Sequence, residues 1–194
     1  MQDGSVIASD HFVQFFDTDS QLVDAVSRFV HVGIESAEVC VVIATAEHRE
    51  RIAASLNVRG VNTAVLESAY QYIAVDAQSL LGEFFDGRLD RYRFHDRVGL
   101  LLRQAASSGK PVRVFDEMVA LLASRGLLSA TLELEELCNE LGRSQDIVLF
   151  CGYLHGAFTG PRAAETVQRL CTLHAHSLMA RGEPQQAVSA FTSA

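Results

Sequence analysis

A chain of 194 residues with 48% hydrophobic content can bury one sizeable core, so a single α/β domain is the expectation. Its formal charge of −8, with Lys110 the one lysine among 16 basic residues, provides no basic patch and argues against nucleic-acid binding or attraction to anionic membranes. The longest apolar runs, at 39–44 and 148–151, are far short of the ~20 residues that span a bilayer, and the polar first ten residues lack a signal-peptide pattern, so a cytoplasmic protein is expected.

In chain order, a short strand at 12–16 leads into the turn Asp17-Thr18-Asp19-Ser20. There Asp19 or Ser20 should cap a helix whose Leu22, Val23, Val26, Phe29 and Val30 recur at helical spacing, with Gly33 ending it. The run VCVVIA at 39–44 is apolar throughout, as in a central parallel strand covered on both faces. Thr45 should cap a helix over 46–56. A weak strand is predicted at 61–66 and another at 70–75, ending on Asp76, which opens the helix AQSLLGEFF. After a turn at 86–91 comes a helix at 92–107, then a strand at 112–115 ending on Asp116 and Glu117, then helices at 117–124 and 128–142. A strand at 147–151, a loop at 152–158 holding Tyr153 and His155, and a helix at 161–179 complete the pattern. Residues 1–10 are expected to be a flexible N-terminus, 11–180 a single domain, and 181–194 a frayed tail.

Strands alternating with helices predict a three-layer, doubly wound, mostly parallel sheet. Ligands of such sheets bind beyond the carboxyl ends of the strands. That rule places Asp17, Asp19, Thr45, His48, Asp76, Asp116, Glu117, Cys151 and Tyr153 along one edge. The turn after the first strand is where a mononucleotide-binding domain would cradle phosphate, and DTDS has neither the glycines nor the lysine for that task. Its carboxylates cap the helix, occupy the position a phosphate would take, or both. Cys40, Cys138, Cys151 and Cys171 form no CxxC pair and are expected to be reduced, buried thiols.

A series of segments carries a family resemblance: HFVQFFDTDSQL at 11–22, DAQSLLGEFFDGRLDRYRF at 76–94, VRVFDEMVALL at 112–122, LELEELCNEL at 132–141, VLFCGYLHGAF at 148–158 and LCTLHAHSL at 170–178. Together they resemble the MEDS (methanogen/methylotroph, DcmR sensory) domain over nearly the whole chain. The resemblance implies a RecA/KaiC-like fold without a functional P-loop and a sensory or regulatory role. It also implies His11, Asp76, Arg113, Glu117, Glu133, Asn139, Cys151, Tyr153, Cys171 and His174 as the recurrent polar positions. Asp116 departs from the family's usual glycine and is expected to add a carboxylate to the crevice. Partners implied are a histidine kinase, an anti-sigma factor or a transcription regulator, with a small organic ligand and a homodimer as further expectations.

The expected ligand-binding set is therefore His11, Asp17, Asp76, Arg113, Glu117, Glu133, Cys151, Tyr153 and His174. Arg113 is expected to pair with Glu133 or Glu117, while Glu135 and Glu136 face water. Cys171 and His174 share a helix face, and with Cys151 or His11 they supply residue types that suit zinc. Packing or a hydrogen-bonded core histidine is the preferred reading, with no metal and no cofactor assigned. No GxSxG elbow or nucleophile–base pair is visible. The expected function is thus a non-enzymatic sensory domain. A pure interaction module with a vestigial crevice is the alternative, and a weak KaiC-like nucleotide binder comes third.

Overall fold

The computed structural model describes residues 11–144, 147–159, 162–174 and 176–179, the last four by their backbone. The expected N-terminal and C-terminal tails lie outside the described residues. Strand β1 (His11–Phe16) is followed by helix α1 (Asp19–Glu35), β2 (Val39–Ala44), α2 (Ala46–Val58), α3 (Thr63–Ser68) and β3 (Tyr72–Asp76). Then come α4 (Ala77–Gly82), α5 (Arg91–Ala106), β4 (Val112–Asp116), α6 (Met118–Ser124), α7 (Leu128–Ser144) and β5 (Ile147–Leu154). A 3-10 turn (His155–Ala157), α8 (Ala163–Leu173) and β6 (His176–Met179) follow.

The strands form one sheet in the order β3-β2-β4-β5-β1-β6, every neighbouring pair parallel. Because successive side chains alternate across a strand, the sheet feeds two cores. Val13, Phe15, Val41, Ile43, Val114, Leu149, Cys151 and Tyr153 pack beneath α4–α8. Phe12, Phe16, Cys40, Val42, Phe115 and Phe150 pack against α1 and α2. Helices on both faces make the three-layer α/β architecture expected from the alternation.

Four elements depart from expectation. Residues 61–66 do not form a strand: Asn62 accepts a hydrogen bond from Val65 N at 3.2 Å and starts α3, so a side-chain cap overrides the local β-branched content. Gly33 does not end α1. It lies within the helix, where an added Cβ would come 2.7 Å from Cys40 Sγ and 3.0 Å from Arg113, so its role is close approach to the sheet. Gly152 does not start a loop; β5 runs on to Leu154, and a Cβ at 152 would meet Phe115 at 3.2 Å. The last helix stops at Leu173, and β6 pairs with β1, covering an otherwise open sheet edge.

Candidate functional site

At the carboxyl edge, the start of α1 satisfies itself. Thr18, rather than Asp19 or Ser20, is the N-cap and accepts from Gln21 N at 3.3 Å. Gln21 Oε1 accepts in return from the N–H groups of Asp17 (3.0 Å) and Thr18 (3.2 Å). This capping box uses N–H groups that an anion would otherwise need. Asp17 is exposed, with His155 Nε2 4.0 Å from its carboxylate.

Further along the sheet, where β4 and β2 lie side by side, an internal carboxylate does occupy a helix start. Glu117 Oε2 accepts from Thr45 N at 2.8 Å, next to α2, and Glu117 Oε1 contacts His48 Nδ1 at 2.7 Å. The main-chain N–H of Glu117 donates to Ile43 O at 2.9 Å, which locks the residue to the end of β2. His48 Nε2 faces Asp19 at 3.5 Å. The hydrogen bond to Glu117, joined by the charges of Glu117 and Asp19, raises the His48 pKa in spite of partial burial. Asp76 caps α4 by accepting from Ser79 N at 2.8 Å and takes Arg49 Nη2 at 3.1 Å. The Ser79 bond first, and Arg49 with it, lowers its pKa.

Asp116 does not join this edge. It is on the opposite face of β4 from Phe115, buried at 2% exposure, and accepts from Met118 N (2.8 Å) and from the Cys138 thiol (3.7 Å). Burial pushes its pKa up to about 7. The acidic edge therefore consists of Asp17, Asp19, Asp76 and Glu117, without the fifth carboxylate expected there.

A second polar constellation is enclosed between the sheet and α7. Glu135, at 0% exposure, is its centre. Its Oε1 accepts from Tyr153 Oη at 2.5 Å; its Oε2 is 3.2 Å from His174 Nε2, 3.4 Å from His11 Nε2 and 3.6 Å from Cys151 Sγ. His11 Nε2 is also 3.2 Å from Cys151 Sγ, and the two imidazoles lie 4.0 Å apart by ring centre. Outer partners orient both rings: His11 Nδ1 meets Asn139 Oδ1 at 2.9 Å, and His174 Nδ1 meets Leu170 O at 2.7 Å. Asn139 Nδ2 in turn donates to Leu173 O at 2.9 Å, which decides which end of the amide faces His11.

The electrostatics follow from enclosure. Burial pulls the His11 pKa down to about 4 against the pull of Glu135. Burial also opposes a charge on His174, but the Glu135 carboxylate outweighs it and raises that pKa. Glu135 is held below the usual carboxylate range in spite of burial, by His174 first, then by His11 and Tyr153. Cys151 and Tyr153 are pushed well up by burial and by the same carboxylate. All of these directions trace to burial and to the single carboxylate of Glu135 at the centre.

The sequence profile of the MEDS family (MEthanogen/methylotroph, DcmR Sensory domain) matches residues 10–174. The chain belongs to the MEDS family. No curated protein matched it.

In this MEDS domain the nine residues expected to bind ligand do not form one site. Asp17, Asp76 and Glu117 lie along the carboxyl edge, while His11, Cys151, Tyr153 and His174 converge inside the core. Arg113 belongs to neither. It sits at the amino end of β4, in register with Cys40, and pairs with Glu38 through Nε (2.6 Å) and Nη2 (3.1 Å) rather than with Glu133 or Glu117. Its guanidinium stacks 4.7 Å from the Phe29 ring centre. Glu133 is half-buried on α7, and the carboxylate that matters is Glu135, expected to face water. A signal for it was present: Thr131, Leu134, Glu135, Cys138, Leu141 and Gly142 are all buried and follow helical spacing, with Glu135 a polar interruption of an apolar stripe. Cys171 is half-buried, outside the group of close ligand atoms. Among the described residues no helix is long and apolar enough to cross a membrane.

Proposed function

We propose that this MEDS domain is a non-enzymatic cytoplasmic sensor on a RecA/KaiC-like frame, taking a small organic molecule at the carboxyl edge and passing its state to a partner protein. The family supplies the sensory and regulatory role. The observation that carries the finer reading is the Glu117–His48–Asp19 chain at 2.7 and 3.5 Å, beside Asp17 and Asp76. It sets a hydrogen-bonding imidazole at the border of core and solvent, where a ligand could exchange with water. The edge carries more carboxylates than cations, and at the starts of α1 and α2 the N–H groups of Asp17, Thr18, Gln21 and Thr45 are engaged by Gln21, Thr18 and Glu117 side chains. Both features disfavour phosphate and favour an uncharged or cationic organic ligand.

A histidine kinase, an anti-sigma factor or a transcription regulator would read the output, and a homodimer would serve the same end. Native mass spectrometry of freshly purified protein tests the reading by reporting bound molecules and subunit number together. The expected result is a small organic adduct that His48→Ala removes, alongside no heat of binding in a titration with magnesium-ATP. Measurable ATP turnover abolished by Glu117→Gln would defeat the proposal.

A further inference from the structure

The enclosed constellation has a geometry that packing alone does not require. His11 Nε2, Glu135 Oε2, Cys151 Sγ and His174 Nε2 come from β1, α7, β5 and the residue after α8, yet all four atoms lie within 4.8 Å of one another. Both imidazoles have Nδ1 committed outward, to Asn139 Oδ1 and to Leu170 O, so each neutral ring presents a bare Nε2 lone pair inward. The His174 lone pair meets a carboxylate oxygen, itself an acceptor, while the Cys151 thiol has one proton for both Glu135 Oε2 and His11 Nε2. His174 Nε2 is buried and makes no hydrogen bond, although Glu135 Oε2 is only 3.2 Å away. Donor atoms that aim at a common point between them stand in this relation to each other.

We propose that His11 Nε2, His174 Nε2, Cys151 Sγ and Glu135 Oε2 bind one divalent transition-metal ion of the zinc class. Four ligands at zinc bond lengths of about 2.0–2.3 Å define a tetrahedron with edges of roughly 3.3–3.8 Å. The contacts of 3.4 and 3.6 Å fall within that range, and the two of 3.2 Å lie just below it. Imidazole, thiolate and carboxylate together suit zinc or cobalt(II) rather than magnesium or calcium. The shell that orients metal ligands elsewhere is also present. Asn139 and the Leu170 carbonyl hold the histidines, and Tyr153 donates to the other oxygen of Glu135. Binding expels the Cys151 thiol proton to solvent. Four protein ligands close the coordination sphere, so the ion would tie β1, β5, α7 and the segment leading into β6 together rather than activate water.

The experiment uses the full chain, without a histidine tag, produced with zinc or refolded with cobalt(II). Plasma emission should find about one equivalent of zinc. The cobalt protein should show tetrahedral d–d bands and a thiolate-to-cobalt charge-transfer band. Cys151→Ser should abolish the charge-transfer band while far-UV circular dichroism stays intact, and Cys40→Ser should leave it unchanged. Should Cys151→Ser fail to fold, Tyr153→Phe provides the second measurement: competition with a chromophoric chelator should show affinity reduced by about 10–100-fold. A folded wild-type protein that takes up neither metal, a charge-transfer band that survives Cys151→Ser, or a Tyr153→Phe affinity equal to wild type would each overturn the proposal.

Discussion

Two histidine–glutamate contacts in this domain use the same chemistry in different solvents. His48 meets Glu117 at 2.7 Å at the carboxyl edge, with the half-exposed Asp19 beside them. His174 meets Glu135 at 3.2 Å in the core, where both side chains are at 0% exposure. At the edge, His48 reaches from the buried Glu117 to Asp19 at the solvent border, so a change of charge on its ring can be answered from outside. In the core no water answers, so each polar atom depends on a protein partner, and losing one leaves the others uncompensated. The first arrangement suits exchange with a ligand. The second suits permanence, either as a proton-sharing network or around an ion.

The largest test of that contrast is Glu135→Ala, which removes the acceptor of Tyr153 and Cys151 and the carboxylate beside His11 and His174. Urea denaturation should show a loss of about 3–5 kcal/mol, the range for breaking a buried ion pair. Glu133→Ala, two residues away on the same helix but half-buried, should change stability by no more than about 0.5 kcal/mol. Equal effects at the two positions would erase the distinction between core and surface on α7.

Tyr153→Phe keeps the ring and removes one hydrogen bond to a carboxylate, so the expected loss is smaller, about 1.5–3 kcal/mol by the same measurement. Asp76→Ala comes next. It loses the α4 cap and should cost about 1 kcal/mol in thermal unfolding while the far-UV spectrum is retained.

Glu117→Gln should have the smallest effect on stability and the clearest effect on pH dependence. The folded His48 pKa lies above its ordinary 6.5, so its contribution to stability is complete below 6.5 and disappears as pH rises through the folded value. A proton-NMR titration should place His48 above 6.5 in the wild type and lower in Glu117→Gln. The variant's stability should fall less steeply with pH across the same window. An unchanged His48 titration would remove Glu117 as its partner.

Much of this was legible in the residues. VCVVIA reads as a central parallel strand and is one, and Thr45 and Asp76 cap the helices they were expected to cap. Those signals are local, carried by run length and by hydroxyl or carboxylate caps. The misses have a common cause. Gly33 and Gly152 resemble breakers, but they stand where another chain segment passes too close for a Cβ. Residues 176–179 follow a helix without a break, and only pairing with β1 makes them a strand. Glu135 lies on the apolar stripe of an acidic helix, but which groups it meets there depends on strands and a helix far away in the chain.

By itself the sequence determined the alternation of strands and helices, the absence of a phosphate cradle after β1, and membership of the MEDS family, since each rests on periodicity, on residue type at a turn, or on a series of segments. Tertiary structure alone decided that the candidate residues divide into an edge and a core. Strand pairing brings His11 within 3.2 Å of Cys151, 140 residues away, and packing of α7 places Glu135 between them and His174. Parity along β4 sends Phe115 to one face and Asp116 to the other, and register carries Arg113 to the far end of the strand. Such placements depend on which segments become neighbours, and a linear pattern of residues does not contain that distance.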